Sequence, residues 1–307
     1  MAGAQMARFW AASTLLYPER SLGSIRRRLR FMARAWLHRA EAAPLVAAEP
    51  GSLLGRTVSA RPLVLGFIAA PYLCSSWNPR DRIAAFVNHV ETLERFPALL
   101  DFPLDARIEL MPLPHLGPDY HLVLDKPIWF HREGVVVLNL FRGNLRLMSL
   151  AFALERREGH LVALIGAIQG RDIEGLRDEF RQMTKDSFGI RPRDLLIELF
   201  RALCRQIGVE TILGVADTNR HHRSLFFGKN TNRQFSLDYD EIWRDRGGEP
   251  AGDFFRISPK RQDRDEADIP ARKRSMYRQR YALLDQLEGA LPNALRNPVP
   301  VYRGDAD

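Results

Sequence analysis

The chain has 307 residues, 46% of them hydrophobic and 27% charged, with no low-complexity tract, so it can bury a core and is neither a disordered nor a fibrous chain. Two cysteines, Cys74 and Cys204, exclude a disulfide framework, lack metal-ligand spacing and read as buried free thiols. The formal net charge is +8, yet residues 1–40 hold eight arginines against one acid, Glu19; the body is near neutral, which disfavours a general nucleic-acid surface and leaves a basic N-terminal arm to explain.

No apolar run approaches the ~20 residues that span a bilayer, and the basic cluster follows the first apolar stretch, unlike a signal peptide. The expectation is a cytoplasmic protein, peripheral to the inner membrane if its basic arm binds there. Residues 7–17 predict a weak apolar helix ending before Pro18. From Leu22, the apolar residues Leu22, Ile25, Leu29, Met32 and Trp36 share one helical face, with Arg26, Arg27, Arg30 and Arg34 on the others. The default is that this row packs on the domain; the alternative is that residues 20–39 lie on an anionic membrane. Pro and Gly mark 42–62 as a linker, so the expected organisation is a helical basic region over 1–62, a domain over 63–291 and a flexible tail over 292–307.

Within the domain, Leu63–Ala70 is a short apolar run, and a helix over 80–96 is opened by Asn78 and Pro79; His89 and Glu94 on it read as surface residues. Strands are expected at Ala106–Leu113, Tyr120–Leu124, Val135–Phe141, Leu145–Glu155 and Leu161–Gln169, the last three joined by short turns. A polar helix over 172–187 leads to a second helix opened by Pro192 and stopped by Gly208, then to a strand Thr211–Ala216, a crossover that makes two strands parallel. A short helix over 224–227, a polar stretch Gly228–Ser236, a helix over 239–246, a strand over 253–257 and a basic helix from Pro270 complete the pattern, which is α/β with a mixed, largely antiparallel sheet.

Several blocks carry a resemblance. HREG at His131–Gly134, GAIQG at Gly166–Gly170, TKDSFGIRPRDLL at Thr184–Leu196, YDEIWRDRGG at Tyr239–Gly248 and KRSMYRQRYALLD at Lys273–Asp285 resemble the VirK/YbjX family of bacterial proteins. The resemblance implies a Gram-negative protein tied to virulence and to envelope defence against antimicrobial peptides, with no catalytic residues to carry over. The crossover is also similar to that of the GNAT acyltransferases, whose pattern maps onto Gly189, Leu195-Leu196, Gly208, Thr211–Val215 and Asn219; the helix over 172–187 is a departure from it.

That likeness implies acyl-CoA as cofactor, its pyrophosphate received at a helix N-terminus by Gln169, Gly170, Gly189, Arg191 and Arg193. The polar turn Asp217, Asn219, His221 and His222 is then the candidate catalytic set, with Asp217 and His221 on one face if the turn is helical. No third zinc ligand is visible, so no metal is expected. His131 and Glu133 read as structural. Two functions follow: an acyl-CoA-dependent transferase acting on an unknown acceptor, or a non-catalytic adaptor at the cytoplasmic membrane surface.

Overall fold

The computed structural model describes residues 2–228, 237–296 and 298–302. Its centre is a sheet of nine strands: β1 (Ala106–Pro112), β2 (Tyr120–Asp125), β3 (Val136–Arg142), β4 (Leu145–Arg157), β5 (His160–Gly170), β6 (Thr211–Val215), β7 (Glu249–Ala251), β8 (Phe254–Ile257) and β9 (Pro300–Tyr302). Their order is β7-β8-β6-β5-β4-β3-β2-β1-β9, antiparallel throughout except for β5 beside β6. The mixed, largely antiparallel sheet and its parallel crossover are as the sequence predicts. The long β4–β5 hairpin turns at Glu158 and Gly159, both at positive φ, the geometry that matches the twist of two paired strands.

Among the described residues ten α-helices accompany the sheet: α1 (Ala2–Leu16), α2 (Leu22–Leu37), α3 (Ala43–Ala47), α4 (Leu53–Ala60), α5 (Pro79–Leu93), α6 (Pro97–Leu100), α7 (Leu176–Asp186), α8 (Pro192–Gln206), α9 (Tyr239–Arg244) and α10 (Arg274–Arg296). α5 starts where the Asn78 side chain accepts the N–H of Asp81, with Pro79 in the first turn. α8 buries Leu195, Leu196, Leu199, Phe200 and Leu203, and its Phe200 ring meets Phe152 of β4 at 4.8 Å between centroids. Burying each such side chain stabilises the fold by roughly 1.5–3 kcal/mol.

The other sheet face holds a buried polar group. Arg146 bonds Asp125 at 2.6 Å and Asn139 at 2.9 Å, and Ser149 donates to Asn139 at 2.7 Å. Beside it Phe130, from the loop after β2, covers Val137, Ala151 and Ala167.

Four expectations are corrected, and two strands were not foreseen. The linker over 42–62 contains α3 and α4, whose Leu45, Val46, Leu53 and Val58 join the main core. The tail from Pro292 continues as helix to Arg296, and Pro300–Tyr302 pairs with β1. β7 and β9, three residues each and both containing proline, lack the alternation that reveals a strand. His89 is fully buried: its Nδ1 accepts the Leu154 N–H at 2.9 Å, and burial pushes its pKa down to about 3. Last, most of the apolar row of α2 does not pack on the domain: Met32 packs half-buried against the main core, and the other four do not. Leu22, Ile25, Leu29 and Trp36 are 78%, 45%, 60% and 59% exposed, and the helix instead buries Ser24, Phe31 and Ala35. Small residues let α2 approach α1 closely, and Phe31 reaches Phe9 at 6.2 Å. The polar stretch beyond Gly228 lies outside the described residues.

Candidate functional site

β5 and β6 pair only from Val162–Thr211 to Ile165–Gly214; β5 then runs on to Gly170 while β6 ends at Val215, so the two strands fork. Such a divergence leaves backbone groups without a ladder partner. Here α9 fills it. The Tyr239 hydroxyl accepts the Ile168 N–H at 2.8 Å and donates to the Ile168 carbonyl at 2.9 Å, and the Trp243 indole donates to the Val215 carbonyl at 2.8 Å. Tyr239 and Trp243 are four residues apart, so one helical face carries both. Gly214 is required beneath that indole, since a Cβ there would stand 2.5 Å from the ring.

On the outer side of the fork lies a cleft of about 720 Å³. It brings together Gln169, Gly170, Arg191 and Arg193, four of the expected cofactor contacts, with Arg171, Arg177, Arg181 and Lys185, over Phe180, Met148 and Ile168. Among the described residues no carboxylate lines it. Gly189 is elsewhere: it ends α7, its N–H bonded to the Thr184 carbonyl at 2.7 Å, and a Cβ there would meet Arg280 and Met276 of α10.

The expected catalytic residues lie in two 3-10 turns, Asp217–Asn219 and His221–Arg223, and the turns separate them. Asp217 is held by Arg223 and by Arg220 at 3.2 Å. Asn219 donates to Asp253 at 3.0 Å, and Ser76 donates to the same carboxylate at 2.6 Å. His221 turns the other way, its Nδ1 3.7 Å from Glu133 Oε1. That separation exceeds a hydrogen bond.

Burial pushes the Glu133 carboxyl up to about 8, against the pull of Arg220 and Arg132. Burial, and then the neighbouring His222, Arg132 and Arg220, push His221 down to about 3. His222 falls to about 4 through burial and Arg220, and His131 to about 4 through burial and Arg132. At neutral pH the pair is a carboxylic acid beside a neutral imidazole, a combination able to give and take a proton. Sequence reasoning left Glu133 as structural. The signal for it was HREG itself: a Cβ at Gly134, whose φ is +134°, would stand 2.5 Å from the Phe152 backbone, and one at Gly166 would stand 2.1 Å from the Glu133 carbonyl. Both glycines seat the Glu133 loop on β4 and β5. None of Asp217, Asn219, His221, His222 or Glu133 lines the cationic cleft; Tyr239, stacked under Arg220 at 3.8 Å, stands between.

Among the described residues no group of three or more His, Cys, Asp or Glu side chains is placed to hold a metal ion, and no helix is long and apolar enough to cross a membrane.

A family profile described as "Protein of unknown function (DUF535)" matches residues 20–293. The chain belongs to this family. The chain is 30% identical to an uncharacterized protein of Haemophilus influenzae over 230 residues, 74% of this chain and 75% of that one. It is 26% identical to the uncharacterized protein YbjX of Escherichia coli, over 74% and 70% of the two chains, which bears out the VirK/YbjX resemblance. The membrane protein LapB of Mannheimia haemolytica is 25% identical, over 67% of this chain and 90% of LapB. No solved structure matches the chain.

Proposed function

We propose that this DUF535 protein works at a membrane surface, lying on anionic lipid through α2 without crossing the bilayer. The observation that carries the reading is the exposed row Leu22, Ile25, Leu29 and Trp36 on a helix whose other residues include Arg26, Arg27, Arg28, Arg30 and Arg34. A helix with an apolar face in water and arginines beside it is the composition of an interfacial anchor, where the side chains enter the acyl boundary and the guanidinium groups meet lipid phosphate. The concentration of basic charge in residues 1–40 supports an anionic partner, and the name of the LapB relative points the same way.

The test is flotation of the full chain with vesicles of phosphatidylcholine alone or mixed with phosphatidylglycerol. The wild type is expected to float with the anionic vesicles and the double variant Leu29→Ser/Trp36→Ser to stay in solution. Equal flotation of the two proteins would remove α2 from the membrane contact.

A second reading rests on the cationic cleft, which is shaped for an anionic amphiphile and contains four of the residues matched to a CoA site. In it the chain is an acyl-CoA-dependent transferase acting on an unknown acceptor. Tyr239 already holds the Ile168 backbone groups in the fork, so the acyl arm would have to run along the outer cleft. A thermal-shift titration with acetyl- and long-chain acyl-CoA, repeated on Arg191→Ala and Arg193→Ala, tests it. At a hundred times its dissociation constant a ligand stabilises the native state by about 2.7 kcal/mol; no shift with any acyl-CoA sinks the transferase.

A further inference from the structure

A second cationic cavity, of about 630 Å³, lies beside α2. Arg27, Arg30 and Arg34 of α2 line one wall, Arg82 of α5 and Arg132 of the HREG turn the others, with Tyr17 at the α1–α2 connection. Among the described residues no carboxylate lines it. Apart from an exposed contact of 3.7 Å between Arg27 and Glu19, the groups that hold these arginines are neutral. Arg34 donates to the Ala69 carbonyl at 2.8 Å, and Arg82 to the next carbonyl, Ala70, at 3.3 Å. Arg132 Nε lies 3.3 Å from His131 Nε2, and its guanidinium stands 5.4 and 5.3 Å from the Phe226 and Phe227 rings. Glu133, next in the chain, turns toward His221, and burial raises its pKa to about 8, so its carboxyl does not cancel Arg132 at neutral pH.

Carbonyls and rings orient a guanidinium and leave its charge in place. Five of them around one cavity make a positive field that its low-dielectric walls focus inward. The burden is visible at Arg82, whose pKa is lowered first by burial and then by Arg34. Its buried Nε has no hydrogen-bond partner among the described residues, a donor left for something to accept. At about 100° per residue, Arg30, Arg34 and Arg27 lie about 120–180° round α2 from its exposed apolar row, whereas Arg26 lies about 80° from it. A bilayer that receives the row is on the far side of the helix from the cavity, so the occupant comes from water. The volume is far larger than a phosphate ion needs and falls in the range of small-molecule sites. Phe226, 41% exposed, adds an apolar wall beside the arginines.

We infer that this cavity binds a small soluble organic phosphate, its phosphomonoester dianion held between Arg30, Arg34, Arg82 and Arg132 and its body lying against Phe226. A guanidinium fork donates two bonds to neighbouring oxygens, and a dianion with three free oxygens accepts from several forks at once. The site shares no lining residue with the cleft at the end of β5, and it does not depend on the membrane reading.

The experiment is calorimetric titration of the full chain with glycerol 3-phosphate, glucose 6-phosphate, adenosine monophosphate and inorganic phosphate, at constant ionic strength made up with potassium chloride. Saturable binding of at least one organic phosphate is expected. Arg30→Gln and Arg34→Gln are each expected to weaken it by about tenfold or more, the worth of one charge-assisted bond, while Arg191→Ala/Arg193→Ala leaves it unchanged. Should Arg34→Gln, which loses the Ala69 bond, fail to fold, the exposed Arg30→Gln decides alone. Binding of none of the three organic phosphates, or binding unmoved by Arg30→Gln, overturns the site. Loss of binding in the Arg191→Ala/Arg193→Ala variant instead assigns the phosphate to the β5 cleft and overturns it equally. Inorganic phosphate binding as tightly as every organic probe means that the arginines recognise the free ion, which overturns the organic ligand.

Discussion

Glu133 and His221 lie far apart in the chain, in turns that no periodicity describes, and they meet because two glycines let the HREG loop sit on β4 and β5. Their pH signatures have opposite signs. The folded-state pKa of Glu133 is raised to about 8, so the native state binds its proton more tightly than the unfolded chain, and stability falls as pH rises from the ordinary carboxyl range toward 8. The folded-state pKa of His221 is lowered to about 3, so its contribution is present above the ordinary imidazole pKa and is lost as pH falls toward 3. Glu133→Gln is therefore expected to flatten the decline in urea-unfolding stability between about pH 5 and 8; an unchanged slope would mean that the carboxyl is not held neutral. Asp125 and Arg146 pose a different problem, since both are buried and their pairing across strands is invisible in a sequence. Arg146→Met leaves Asp125 without its cation and is expected to cost about 3–5 kcal/mol in urea unfolding.

Elements with a strong local pattern were legible and those defined by their neighbours were not. The long strands, the capped α5 and the crossover helix α8 follow from apolar runs between turn signals, an Asn-Pro start and a Gly stop. α2 was legible as a helix but not in its orientation, because period tells which residues share a face and not whether that face meets protein. Its buried side, Ser24, Phe31 and Ala35, is evident only once the helix is seen packed. Leu29→Ser and Trp36→Ser are therefore expected to change stability by no more than about 0.5 kcal/mol each, while vesicle flotation is lost. Gly134 carries the reverse expectation: Gly134→Ala drives a methyl into the Phe152 backbone at a φ that disfavours side chains and is expected to cost at least about 2 kcal/mol in urea unfolding.

Across the whole molecule, the basic N-terminal helices are layers of the fold, with Phe9, Ala12, Phe31 and Ala35 in the same core as the sheet. Deleting residues 1–40 would confuse loss of membrane contact with loss of folding, so surface substitutions on α2 are the cleaner probe. Because the contact combines apolar insertion with arginine–phosphate attraction, its affinity is expected to drop as salt shortens the screening length below ~8 Å, without vanishing; a salt-insensitive interaction would leave the arginines out of it. The two edges of the sheet bear on how copies of the chain can meet. Both are three-residue strands that contain a proline, Pro250 in β7 and Pro300 in β9, and a proline at an edge offers no N–H to an incoming strand. Both described edges are blunted against strand addition, so copies of the chain crowded together on a lipid surface are expected to associate through side-chain faces more readily than by extending one another's β-structure.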